Sequence, residues 1–251
     1  MRFRFKAFGL HLFGSCCVMA LVWGALYLGW YRWPGWYLSG ALGIGAIMAG
    51  VDLVLGPTLT FIIANPGKPR RELARDISMI VLVQLVALGY GSVTLWHGRP
   101  LYYTYSERFL QMVQAGDLDP KQVTLGQQLN PALAPHWYSL PRWIYAPLPK
   151  EKSIREQIMA ATTTGGDDVI QMPRYYQPWE AGLPEMSRNL RVLGKMMEFG
   201  LRDKQKGAER LKQMGIPTDQ PAVLPMMGRG KPLLAVIEPK TMRILELVRI
   251  D

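Results

Sequence analysis

Three long apolar stretches, residues 7–31, 36–64 and 77–96, constrain this chain more than any other feature of it. The first and third carry no formal charge, and the second is interrupted only by Asp52. At about 1.5 Å per residue, about 20 residues of helix cross the hydrocarbon of a bilayer. Each stretch reaches that length. Helix is also the form in which a single segment satisfies its own backbone in lipid. The sequence therefore predicts three transmembrane helices over these residues. Arg2, Arg4 and Lys6 before the first stretch resemble the start of a signal peptide. The stretch is much longer than a signal core and no small-x-small site ends it, so it reads as an uncleaved anchor.

Charge divides the chain. Residues 1–96 hold eight Lys/Arg against three Asp/Glu, whereas the remainder holds 21 against 16. The second part thus mixes its signs like an ordinary soluble surface and lacks the basic stripe of a nucleic-acid binder. We expect a membrane domain over 1–96 and a small soluble α+β domain with antiparallel strands over 97–251. Cys16 and Cys17 are the only cysteines and lie inside the first stretch, which leaves the soluble part without a disulfide. Three scattered histidines, His11, His97 and His136, do not make a metal site. No Gly-rich phosphate loop or nucleophile signature is present. The expectation is a chain with no cofactor, no metal and no catalytic residues.

Loop charge orients the membrane part. The N-terminus carries three basic residues and the 65–76 loop carries Lys68, Arg70, Arg71 and Arg75, against Arg32 alone in the 30–36 turn. The positive-inside rule then puts the N-terminus and second loop in the cytoplasm and everything after residue 97 outside. Trp23, Trp30, Trp33, Trp36, Tyr90 and Trp96 fall toward the outer end, as an interfacial belt does.

The second stretch has a face of small residues. Ala41, Gly45, Ala49, Asp52 and Gly56 recur every three or four positions, and such faces let helices approach closely in lipid. Burying a carboxylate there costs at least about 2.5–3.5 kcal/mol unless it is paired or protonated. By depth its partners are Gln84 of the third helix and residues 15–17 of the first. Pro57 lacks a donor and clashes with the carbonyl of Leu53, which predicts a kink just after Asp52. Asp52 reads either as a contact for another membrane helix or as a tie between helices of this chain.

In the soluble part, residues 101–105 and 108–113 read as a β-hairpin. Residues 114–149 read as a long irregular stretch with a short strand over 143–146. Ser153 and Glu156 form a capping-box pattern that starts a helix, and Gly165-Gly166 ends it. Tyr175, Tyr176 and Trp179 lie between prolines, either as a contact loop or as core. Leu190, Leu193, Met197 and Leu201 predict a helix over 187–201. Residues 232–238 and 242–250 read as a closing pair of strands with a loop longer than two residues.

Gly50-Val51-Asp52-Leu53-Val54-Leu55-Gly56-Pro57 with Leu59-Thr60, then Asn65-Pro66, Lys68-Pro69-Arg70-Arg71-Glu72-Leu73 and Arg75-Asp76, resembles the signature of the type IV pilin accessory protein family. Lys6-Ala7-Phe8-Gly9 with His11-Leu12 is similar to that family's start, and Gln84-Leu85, Ala87-Leu88 and Tyr90-Gly91 to its third membrane helix. The resemblance implies a bacterial inner-membrane protein that assists the major pilin in a chaperone-like way before or during assembly. It implies no catalytic residues. On this reading the partners are the bilayer and the pilin, whose membrane helix meets Ala41, Gly45, Ala49 and Asp52. A pilin-modifying enzyme and a membrane signal receptor are the rival classes.

Overall fold

A computed structural model describes residues 1–107, 109–192, 212–213, 222–238 and 240–249. It divides into two units. One comprises residues 1–36 and 40–98, and the other residues 37–39 and 99–251.

The first unit has three helices long and apolar enough to span a bilayer: α1 (Arg2–Tyr31), α2 (Ala41–Ile63) and α3 (Arg70–His97). The last turns of α1, Tyr27–Tyr31, are π-helical. A turn containing Arg32, Trp33 and Pro34 follows, as Pro34-Gly35 in the sequence predicts. The break expected near Asp52 takes the form of a π-helical segment, Gly50–Leu55, after which α2 resumes with Pro57 in its first turn. The Gly56 N–H reaches back to the Val51 carbonyl. This wider turn accommodates a proline that has no N–H of its own to give.

Met19, Leu26, Tyr31, Ala41, Met48, Leu88 and Leu95 form the buried core of this unit. Gly45 lies against Trp23, and a Cβ at Gly45 would stand 2.1 Å from the indole ring. Gly91 similarly admits the Met48 thioether. Close approach at these points supplies dispersion contacts, the main source of helix association where lipid removes the hydrophobic drive. The Tyr31 hydroxyl donates to the Leu95 carbonyl at 2.7 Å.

The second unit is a mixed sheet with helices. Its strands are β1 (Pro100–Ser106), β2 (Phe109–Gln114), β3 (Arg142–Tyr145), β4 (Gln177–Pro178), β5 (Arg191–Val192), β6 (Ala222–Met227), β7 (Leu233–Ile237) and β8 (Ile244–Arg249). The order among the described residues is β4-β3-β1-β2-β6-β7-β8, with β5 on β6. Most pairs are antiparallel, but β1 with β3 and β2 with β6 are parallel, which the sequence did not disclose. β1 is buried along its whole length, and its Leu101, Tyr102, Tyr103 and Tyr105 are joined there by the buried hydroxyls of Thr104 and Ser106. Its Leu101 and Tyr102 join Val113, Ile144, Ile158, Ile170 and Tyr176 in the core.

Helices α4 (Pro120–Leu129), α5 (Lys152–Thr163) and α6 (Leu183–Asn189) and several short 3-10 turns belong to the same unit. Three expectations are corrected. Residues 114–149 are not irregular throughout, because Asp119 caps α4 by accepting from the Lys121 N–H and Pro120 fills its first turn. Helix α5 starts at Lys152, so Ser153 is inside it and donates to Glu151 instead of capping. The helix expected over 187–201 ends at Asn189, because Arg191–Val192 pairs with β6; residues 193–201 lie outside the described residues. The C-terminus of α5 behaves as predicted. Gly165 has φ +86°, its N–H meets the Thr162 carbonyl, and the Gly166 N–H reaches the Ala161 carbonyl. The closing strand pair also appears, with a loop in which Met242 takes φ 57°.

Candidate functional site

The membrane unit holds a cavity of about 420 Å³. Its wall is mostly apolar, including Ala7, Leu10, Val18, Val81, Leu85 and Leu88. Five polar side chains also line it: His11 and Ser15 from α1, Asp52 and Thr60 from α2, and Gln84 from α3. Residues 11 and 15 are one turn apart on α1 and therefore share a face. On α2 the extra residue per turn of the π segment shifts the face on which Asp52 lies.

Four of these groups form one chain of contacts. The Gln84 Nε2 amide donates to the Asp52 backbone carbonyl at 3.1 Å and to its carboxylate Oδ1 at 3.4 Å. Gln84 Oε1 lies 2.7 Å from His11 Nε2, and His11 Nδ1 lies 2.6 Å from the Thr60 hydroxyl. The amide nitrogen must face Asp52, where only acceptors are available. Its oxygen then faces His11, so Nε2 of the imidazole carries the proton and donates. In the neutral ring Nδ1 is left to accept from Thr60. Asp52 is 6% exposed and Gln84 7%. The second carboxylate oxygen of Asp52 has no hydrogen-bond partner among the described residues, in a residue that lines the cavity. The site can therefore hold an apolar body and accept a hydrogen bond or a positive charge from it.

Of the residues singled out on the small face, Ala41, Gly45, Asp52, Gly56 and Pro57 are buried and Ala49 is half-buried. Gly45 meets Trp23 of α1 and Gly56 meets Gln84 of α3. Gln84 reaches Asp52, as its depth predicts. Of residues 15–17, Ser15 lines the cavity, while Cys16 and Cys17 are free and exposed. His11 and Thr60 were missed as site residues. The available signal was that each is polar within an uncharged run, His11 one turn from Ser15 and Thr60 one turn from Gly56.

Lys68 sits 2.7 Å from Asp76 and 3.3 Å from Glu72, and these two carboxylates hold its ammonium above the ordinary lysine range. Arg70, Arg71 and Arg75 are exposed, with Arg75 3.8 Å from Asp76. Tyr176 is in the soluble core, its ring 4.9 Å from Tyr102 and its hydroxyl donating to the Ile170 carbonyl at 2.5 Å. Tyr175 and Trp179 are half-buried, Trp179 edge-on to Trp143. No cluster of three or more His, Cys, Asp or Glu with the spacing of a metal site occurs among the described residues.

Comparison with known proteins gives relatives over the whole length. The chain is 26% identical over 253 aligned positions to a fimbrial assembly protein of serogroup I from Dichelobacter nodosus, covering 99% of this chain and 96% of that one. It is 25% identical, with the same coverage, to the serogroup E1 fimbrial assembly protein of that organism. It is 32% identical over 116 positions to the fimbrial assembly protein of serogroups C1 and C2, covering 46% of this chain and 88% of that one. No family model matches the chain, and no solved structure matches it.

Proposed function

Since the chain belongs to the fimbrial assembly proteins, the type IV pilin accessory family that its opening motifs resemble, and so takes part in type IV pilus biogenesis, we propose that it acts there as a pilin-specific membrane chaperone or assembly modulator. On this reading it resides in the bacterial inner membrane with its second unit in the periplasm, and it performs no catalytic step. Its partners are the major pilin and the bilayer.

The observation that carries the proposal is the polar cluster on the wall of an otherwise apolar intramembrane cavity. A membrane helix of a pilin is apolar along most of its length, and it can fill such a cleft by packing alone. Asp52 adds an acceptor for one donor on that helix. A buried acceptor of this kind discriminates, because a partner lacking the donor leaves the carboxylate unpaired. The basic end of the membrane unit, with Lys68, Arg70, Arg71 and Arg75, supports the orientation.

Site-specific photocrosslinking tests this reading. Leu85 lines the cavity, whereas Val83 is exposed elsewhere on α3. A benzophenone side chain at position 85 is expected to capture the major pilin in membranes of cells that make pili, and one at position 83 is not. Capture at neither position, or equal capture at both, sinks the proposal.

A further inference from the structure

We infer that the loop bearing Trp137, Tyr138 and Leu140 is a lipid-contacting platform, seated in the headgroup region of the bilayer where the chain leaves it. Three neighbouring large side chains project from the second unit, Trp137 73% exposed, Tyr138 59% and Leu140 58%. Single exposed apolar residues are common, but three in four positions form a patch. Trp137 and Tyr138 meet edge to face at 5.5 Å, and His136 stacks on Tyr138 at the same distance. Rings with one apolar body and one polar tip favour the membrane–water interface.

The backbone beneath the patch is pinned. Arg142 donates to the carbonyls of Ala132 at 2.9 Å and Ala134 at 3.0 Å, and the Tyr102 hydroxyl donates to Leu133 at 2.8 Å. The His136 N–H meets the Ser139 hydroxyl at 2.8 Å. The rings are therefore displayed by an already ordered loop, and binding a surface costs little further conformational entropy.

Chain connectivity identifies the surface as lipid. Arg99 donates to the Trp137 carbonyl at 3.3 Å. It is the residue directly after Gly98, the C-cap of α3. The loop is thus held by the first residue that follows an apolar span in the chain. A second chain point agrees. The Leu38 carbonyl, between the spans of α1 and α2, accepts from the Gly230 N–H at 2.6 Å within the same unit. The opposite end of β1, at Ser106, is about 20 Å away at the usual rise per strand residue.

The test uses the full chain with Cys16 and Cys17 replaced by serine, in nanodiscs of phosphatidylethanolamine and phosphatidylglycerol. Nitroxide labels are placed at Tyr138→Cys, at Leu140→Cys and, as the distal control, at Met159→Cys, which lines a hollow with Ser106 and Glu107. Power-saturation EPR then compares collisions with oxygen, which concentrates in lipid, against a water-soluble nickel chelate. The expected result is an oxygen-to-nickel ratio several-fold higher at positions 138 and 140 than at 159, without any added protein. Equal ratios at all three positions overturn the inference. So does protection at 138 and 140 that appears only when pilin is added, which would make the patch a protein-docking surface.

Discussion

Gln84 Oε1 lies 2.7 Å from His11 Nε2, on the far side of the amide from Asp52. One neutral side chain on α3 thereby joins α1 to α2 with no charge of its own. Replacing it by leucine keeps the volume but removes all three bonds, leaving the His11 N–H and the Asp52 carbonyl and Oδ1 without their partner. Interhelical hydrogen bonds in membranes contribute about 0.6 kcal/mol on average and at most about 1.7. Gln84→Leu should therefore lower the stability of the membrane unit by about 1–2 kcal/mol, read by equilibrium unfolding in mixed SDS micelles. A change below about 0.5 kcal/mol would mean that the chain of contacts does not hold the helices.

The small face of α2 predicts a contrast between glycines on one helix. A Cβ at Gly45 would meet the Trp23 ring at 2.1 Å, and an indole cannot yield as a flexible chain end does. At Gly43 nothing lies within 4 Å. Gly45→Ala should cost about 1–3 kcal/mol through overpacking, while Gly43→Ala should be neutral or mildly stabilising. The same unfolding assay decides it. Equal effects at the two positions would show that α2 does not pack through Gly45.

Much of this architecture is legible in the sequence. Uncharged runs of twenty residues leave few alternatives to membrane helices, and the Asp52–Gln84 pairing followed from counting residues inward from the basic ends. His11 and Thr60 give only a weak signal, because a neutral polar residue neither breaks an apolar run nor costs enough to stand out from its spacing alone. The π segment around Asp52 was hidden for a related reason: Pro57 announces a disturbance, but the geometry that absorbs it depends on packing against α1 and α3. In the soluble unit, local signals failed where distant pairing prevailed. Leu190 continues a helical spacing, yet Arg191–Val192 joins β6, some thirty residues on. Helix α4 had a readable start in Asp119-Pro120, obscured by its Pro- and Gly-rich surroundings.

The tyrosines of the sheet give the soluble unit an alkaline limit. Burial pushes the Tyr102 and Tyr105 phenols up to about 12 and raises Tyr103, Tyr145 and Tyr176 as well. A phenol with its folded pKa above the unfolded value of about 10 is kept neutral by folding. Its contribution is complete below about pH 10 and is lost as pH rises toward 12, where the unfolded chain ionises first. Thermal midpoints in detergent should be flat from neutrality to about pH 10 and then fall. Phenolate absorbance at these sites should appear together with the loss of fold. Tyr102→Phe, which removes one such group, should make the fall with pH shallower; an unchanged slope would exclude Tyr102 from the effect.

Asp52 separates packing from recognition. Its stronger contact with Gln84 runs through its backbone carbonyl at 3.1 Å, and the carboxylate contact is longer at 3.4 Å. Loss of charge at this position should therefore leave the helix contacts largely intact. Asparagine keeps the shape and one acceptor oxygen but cannot offer a negative charge to a donor entering the cavity. Asp52→Asn should thus accumulate to the parental level in membranes, with stability changed by less than about 1 kcal/mol, while the amount of pilin sheared from the cell surface falls. Immunoblots of membranes and of sheared pili measure the two sides separately. Loss of the protein itself would assign Asp52 to holding the three helices together. Normal protein with normal pili would show that its charge serves neither purpose, and the partner's contact would then have to be sought on the apolar wall formed by Val18, Val81 and Leu85.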